Sequence, residues 1–122
     1  MPHATLDATF QPLRAILKPY ESRLVTVNDQ SDSYFLDTAH MQSNNKPLFF
    51  ASARVAKQYV SFHLMPVYVW PELLEGTSEQ LRKRMQGKSC FNFKKPEPEL
   101  FEELASLTRR GFERYRDTGY VT

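Results

Sequence analysis

The segment from about Pro98 to Asp117 constrains the fold of this chain most strongly. Apolar residues recur in it at intervals of three and four, acidic residues stand near its start, and arginines stand near its end. This periodicity predicts an amphipathic helix, and the order of its charges matches the helix dipole. Gly119 follows as a residue that can end such a helix.

The middle of the chain predicts strands rather than helices. Short runs rich in β-branched and aromatic residues, separated by polar turns, occupy 24–27, 34–38, 48–55, 59–64 and 89–93. The two runs that meet at a tight turn near Ala56 and Lys57 are expected to form the centre of the sheet.

Helical patterns flank these strands. A first helix is predicted over 9–23, with Pro19 as a kink or an early stop. A short helical turn is predicted from Trp70. Thr77 and Gln80 fit a capping box for a helix that Gly87 would close.

These elements predict one α+β domain over residues 1–122. Its expected architecture has two layers, with a mainly antiparallel sheet of about five strands flanked by N-terminal and C-terminal helices. A length of 122 residues suits a single core, and 41% hydrophobic with 25% charged residues is a globular composition.

Charge and targeting signals bound the function classes. The net charge of +2 is too small to indicate a nucleic-acid or acidic-lipid partner. The start of the chain has no basic region before an apolar run, and no stretch is long enough for a membrane span, so the expected location is cytoplasmic. One cysteine, Cys90, cannot form a disulfide within the chain.

The strand at 59–64 predicts a polar sheet surface. Alternation places Val60, Phe62 and Leu64 on one face and Tyr59, Ser61 and His63 on the other. If the neighbouring strands add Ser52, Arg54, Cys90 and Asn92 to the second face, hydroxyl, imidazole, guanidinium and thiol groups gather there. The alternative is a solvated face on which His63 only hydrogen-bonds a neighbour.

Cys90 supports two interpretations. Lys88, Lys94 and Lys95 are close in sequence, and basic groups favour a reactive thiolate. A catalytic cysteine also needs a base, for which His63 is the candidate. The other interpretation is an inert strand cysteine packed as a small hydrophobic group. We assign no catalytic residue.

The segment from Thr77 to Pro96 holds six basic residues and one acidic residue, a local charge of +5. Three interpretations stay open: a nucleic-acid surface with Phe91 and Phe93 as stacking rings, a small anion bound at Gly76–Ser78 or by Lys88, and a solvated face. Nucleic acid is the least favoured of these partners.

No metal site is assigned from the sequence. Asp32, Asp37 and His40 follow no standard zinc or EF-hand spacing. The acidic residues at 97–103 are explained by the helix dipole.

Three segments carry a resemblance to a known family. They are Tyr-Val-Ser-Phe-His-Leu-Met-Pro-Val-Tyr at 59–68, Leu-Leu-Glu-Gly at 73–76, and Arg-Met-Gln-Gly-Lys-Ser-Cys-Phe-Asn-Phe at 84–93. Over about residues 12–116 the chain resembles the YdhG-like family of small bacterial domains of unknown function. The resemblance implies an antiparallel sheet with terminal helices and no established reaction. Some relatives are described as frataxin-like iron chaperones, although iron prefers an acidic face and this chain is net positive.

The sequence therefore predicts a non-enzymatic domain that binds a small ligand or a protein partner, as a monomer or weak homodimer. The predicted binding residues are Arg54, Tyr59, Ser61, His63, Lys88, Ser89, Cys90 and Asn92. The alternatives are an iron chaperone and a Cys90-dependent enzyme. The residues do not identify a cofactor.

Overall fold

The computed structural model describes residues 2–121 of the chain. The helices are α1 (Pro2–Leu17), α2 (Met65–Val69), α3 (Glu79–Arg82) and α4 (Pro98–Thr118), with 3₁₀ helices at Lys18–Arg23 and Pro71–Leu74. The strands are β1 (Val25–Gln30), β2 (Ser33–Met41), β3 (Pro47–Val55), β4 (Val60–Leu64), β5 (Met85–Gln86) and β6 (Cys90–Phe93). This is the predicted α+β architecture with terminal helices.

All six strands form one antiparallel sheet in the order β1-β2-β3-β4-β6-β5. The hairpin of β3 and β4 lies at its centre, as the sequence predicts. The expected count of about five strands falls one short. The additional strand, β5, has only two residues, which is too short to show an alternating pattern.

The hydrophobic core lies between one face of this sheet and the helices α1 and α4. Leu6, Phe10, Leu13 and Leu17 recur on the buried side of α1, at the spacing of one helix face. Phe62 of β4 and Phe91 of β6 are cross-strand partners and are fully buried. The Tyr115 hydroxyl of α4 donates a hydrogen bond to the Phe49 carbonyl over 2.8 Å. This bond ties the last helix to the sheet.

Helix α4 also packs closely against α2. A Cβ atom placed on Gly111 would lie 2.9 Å from Cβ of Pro66, which is closer than van der Waals contact permits. Gly111 therefore allows the two helices to approach. At its end, α4 stops at Gly119 in the left-handed conformation, as predicted.

Several predicted boundaries are wrong. The first helix was predicted over 9–23, but α1 begins at Pro2 and gives way after Leu17 to a 3₁₀ helix that carries Pro19 near its start. The first hairpin turn is tighter than predicted, because β1 continues to Gln30. Strand β2 continues to Met41.

The capping box at Thr77 is also wrong. Ser78 caps α3, its hydroxyl accepting a hydrogen bond from the Leu81 N–H over 3.1 Å. The Thr77 hydroxyl instead donates to the Leu74 carbonyl. Gly87 does not close that helix, which ends at Arg82; it lies in the turn between β5 and β6 with φ at +77°. Both Thr77 and Ser78 are good caps, so the local pattern did not separate them.

Within residues 2–121, no helix combines the length and the apolar character needed to cross a membrane.

Candidate functional site

The sheet face turned away from α1 and α4 carries the predicted polar residues, and we call it the open face. Strand register brings them together in pairs. Ser52 pairs with His63, and Arg54 pairs with Ser61. On the other side of β4, His63 pairs with Cys90 and Ser61 pairs with Asn92. The register assumed from the sequence is therefore confirmed.

A cleft of about 310 Å³ lies on the open face. Its lining combines hydroxyl, imidazole, guanidinium, thiol and aromatic groups from β1, β2, β3, β4 and β6. The lining residues are Asn28, Ser33, Tyr34, Phe35, Ser52, Ala53, Arg54, Ser61, His63 and Cys90.

His63 is held in one orientation at the centre of the open face. Its Nε2 lies 2.8 Å from the Ser89 hydroxyl, and its ring packs edge-on against Phe49 with 4.8 Å between centroids. Burial lowers the pKa of the His63 imidazole. The ring is therefore neutral at pH 7, and Nδ1 has no hydrogen-bond partner in the described part of the chain.

Arg54 supplies the cation of the cleft. Its side chain is exposed, and its backbone pairs with Ser33 and Ser61 on the two neighbouring strands. Arg54 forms no ion pair with any described residue. Its guanidinium is thus available to an anionic ligand.

Cys90 lies directly across from His63 and is half-buried. No hydrogen bond joins the Cys90 thiol to the imidazole among the described residues, since His63 Nε2 is turned to Ser89. The two residue types needed for a thiol-imidazole pair are adjacent, but they are not engaged with each other.

Not every predicted site residue lies in the cleft. Four of the predicted residues line it: Arg54, Ser61, His63 and Cys90. Ser89 is hydrogen-bonded to His63, and Asn92 pairs with Ser61 on the neighbouring strand. Tyr59 and Lys88 are not among the lining residues.

The positions of Tyr59 and Lys88 explain this. Strand β4 begins at Val60, so Tyr59 belongs to the preceding bend. Lys88 lies in the turn between β5 and β6, where its Nζ is 6.0 Å from the centroid of the Tyr68 ring.

Sequence reasoning missed the contribution of the first hairpin. Asn28, Ser33 and Phe35 line the cleft, and the Phe35 ring lies 4.5 Å from that of Phe49. Alternation through β2 carries the signal, since Tyr34 and Leu36 are buried whereas Ser33 and Phe35 are partly exposed. The sequence-based prediction treated the first hairpin only as two extended runs joined by a polar turn and assigned no sheet face to its residues.

The predicted anion position at Gly76–Ser78 is taken by the protein itself. The Glu103 carboxylate accepts hydrogen bonds from the Ser78 N–H over 2.8 Å and from the Ser78 hydroxyl over 2.6 Å. This correction removes the small-anion interpretation at that position, because the acceptor is already present.

Among the described residues, no group of three His, Cys, Asp or Glu side chains is arranged to hold a metal ion. Asp37 lies on the open face opposite Phe49, where burial raises the pKa of its carboxyl group.

Comparison of the chain with protein families, curated proteins and solved structures finds no match. The resemblance to the YdhG-like family stays a prediction from the sequence.

Proposed function

We propose that this domain binds a small organic anion in the cleft of the open face, without chemical conversion of the ligand. The observation that carries the proposal is the Arg54 guanidinium, which stands in a concave polar cleft without a carboxylate partner among the described residues. A guanidinium binds a carboxylate through two parallel hydrogen bonds.

The neighbours of Arg54 suit the same ligand. The Ser61 and Ser52 hydroxyls line the cleft, and each can donate one hydrogen bond to an anion. When the Ser89 hydroxyl donates to Nε2 of His63, Nδ1 carries the ring proton and becomes a further donor. A cation and neutral donors thus line the same cleft.

Size and apolar surface limit the ligand further. A volume of about 310 Å³ is at the lower end of small-molecule sites, which run from about 300 to 1,000 Å³. Phe35 supplies an aromatic wall that is held in place by Phe49. A carboxylate attached to a flat apolar body meets both requirements.

The proposal is tested with benzoate as the probe, followed by the backbone amide resonances of the protein. We expect saturable shifts at Ser52, Ser61 and His63. The variant Arg54→Gln should lose at least about tenfold in affinity, which is the effect of one charge-assisted contact. Arg109→Gln, which removes an exposed arginine on α4, is the matched control and should bind benzoate normally.

The alternative, a solvated sheet face, shares the contact between His63 and Ser89 but predicts no ligand. Benzoate shifts that do not saturate, or that persist unchanged in Arg54→Gln, would establish this alternative and end the proposal.

One observation favours a second candidate, a Cys90-dependent enzyme. The cross-strand pairing of Cys90 with His63 places a thiol beside a neutral imidazole that can accept its proton. Such an enzyme predicts that iodoacetamide alkylates Cys90 faster than it alkylates glutathione, and that His63→Gln removes the difference. Alkylation at the rate of the free thiol would exclude it.

The remaining proposals follow from the sequence rather than from the cleft. A half-buried free thiol suits a reducing compartment, which supports a cytoplasmic location. The iron-chaperone role implied by the YdhG-like resemblance has no favouring observation on the open face.

A further inference from the structure

A second recess lies where β6 ends and the chain leads toward α4, and we call it the basic groove. It has a volume of about 430 Å³ and is lined by Arg84, Asn92, Lys94, Lys95 and Glu97. Only polar and charged residues line it, and three of the five are cationic. Asn92 of the groove is the cross-strand partner of Ser61, which lines the cleft.

The single carboxylate of the groove is already engaged. Glu97 accepts two hydrogen bonds from the Arg84 guanidinium, each over 2.7 Å. Arg84 also holds the pKa of Glu97 below its usual range, with a smaller contribution from Lys95. Lys94 and Lys95 form no ion pair with a described residue. Neither ammonium group is therefore bound in an ion pair, and the Glu97 carboxylate close to Lys95 is already engaged by Arg84.

Asn92 shows which kind of group the groove would take. Its Oδ1 is buried and has no hydrogen-bond donor in the described structure. Its amide nitrogen is not among the buried unpartnered atoms and makes no hydrogen bond, so it is the end of the side chain that reaches solvent. The orphaned oxygen destabilises the fold. The amide nitrogen that reaches solvent belongs to a residue that lines the groove together with the two lysines.

We infer that the basic groove is a phosphate subsite, formed by the Asn92 amide and the ammonium groups of Lys94 and Lys95. A phosphate group offers several acceptor oxygens and up to two negative charges, which match these donors. Arg84, neutralised by Glu97, forms the wall of the groove.

Together with the proposed function, on which this step rests, the groove assigns the ligand class as a small organic acid that carries a phosphate group. Arg54, Ser61 and Asn92 lie on three adjacent strands, β3, β4 and β6. Two strand spacings are about 10 Å. A carboxylate at Arg54 and a phosphate at Asn92 can therefore belong to one compact molecule.

The first test uses inorganic phosphate alone, with amide resonances as the readout. We expect saturable shifts at Asn92, Lys94 and Lys95. The double variant Lys94→Gln/Lys95→Gln should bind at least about tenfold more weakly. The control Lys46→Gln/Lys57→Gln removes two exposed lysines from other turns, changes the net charge equally, and should bind as the wild type does. Equal losses in both variants would overturn the subsite.

A second variant separates binding from folding. Asn92→Leu removes the orphaned oxygen together with the amide donor. We expect its midpoint of thermal unfolding to rise by about 3 °C, while phosphate binding weakens. Phosphate affinity that stays at the wild-type value would overturn the role of the amide.

The third test joins the two sites with 4-carboxyphenyl phosphate. It should bind at least about tenfold more tightly than benzoate or inorganic phosphate alone, because linked groups raise the effective concentration of each other.

Binding of phosphate in the groove without binding of benzoate in the cleft would contradict the proposed function only. Binding of benzoate without phosphate would contradict the subsite only. Tighter binding of hexathymidylate than of 4-carboxyphenyl phosphate would overturn the assignment to a small ligand.

Discussion

The ionisation of His63 in the cleft is governed by its burial. Burial lowers its pKa, so the unfolded chain, with an ordinary pKa of about 6.5, binds more protons than the folded protein at slightly acidic pH. Stability contributed by neutral His63 is therefore complete above about pH 6.5 and falls as the pH drops toward the folded-state pKa.

We predict that His63→Gln reduces this loss of stability. The measurement is the midpoint of thermal unfolding between about pH 5 and pH 8, together with an NMR titration of the imidazole protons. His40→Gln serves as control, because His40 is exposed and its ring contacts Tyr120 rather than the cleft. A wild-type His63 that titrates above its ordinary pKa would contradict the burial argument.

The residues of the cleft differ in how far sequence could place them. Ser61 and His63 follow from alternation within one strand, and Arg54 and Cys90 follow once the strand register is assumed. Phe35 could have been placed by the same alternation, which runs from Ser33 to Thr38 in β2, but the link from β2 to the cleft depends on pairing with β3. Lys88 was placed in the site wrongly, because it lies next to Gly87 in the turn between β5 and β6, outside the cleft.

At the level of elements, strong periodicity was sufficient to predict the last helix and the central hairpin. Other elements depend on contacts between distant parts of the chain, which a local pattern does not show. Glu103 of α4 binds Ser78 and so fixes the start of α3, although it lies far along the sequence. Strand β5 is defined by pairing with β6 rather than by a pattern of its own.

The contact between α2 and α4 gives a prediction for Gly111→Ala. Alanine is the better helix former and would ordinarily stabilise a helix interior by up to about 1 kcal/mol. Here the added Cβ would lie 2.9 Å from Pro66, so one helix must move. We expect a net loss of about 1–3 kcal/mol in the free energy of unfolding, measured with urea.

Ser106→Ala is the control for this prediction, since Ser106 is an exposed residue of the same helix. It should leave stability unchanged or slightly higher. A stabilised Gly111→Ala protein would show that the two helices separate at little cost.

The molecule as a whole has a one-sided core. The sheet packs against α1 and α4 on one face and presents the cleft on the other, so adjacent residues of one strand serve different purposes. In β4, Phe62 is fully buried between the sheet and the helices, whereas Ser61 lines the cleft. Binding and stability should therefore be separable by single substitutions one residue apart.

We predict opposite effects for Phe62→Ala and Ser61→Ala. Loss of the buried ring should cost about 3–5 kcal/mol in the free energy of unfolding, because it removes apolar contacts and leaves a cavity. Loss of the Ser61 hydroxyl should change stability by less than about 0.5 kcal/mol while it weakens benzoate binding. Urea unfolding and the benzoate titration measure the two quantities on the same samples. A Ser61→Ala protein that loses stability as Phe62→Ala does would mean that the open face is part of the core, and that the cleft is not free to bind a ligand.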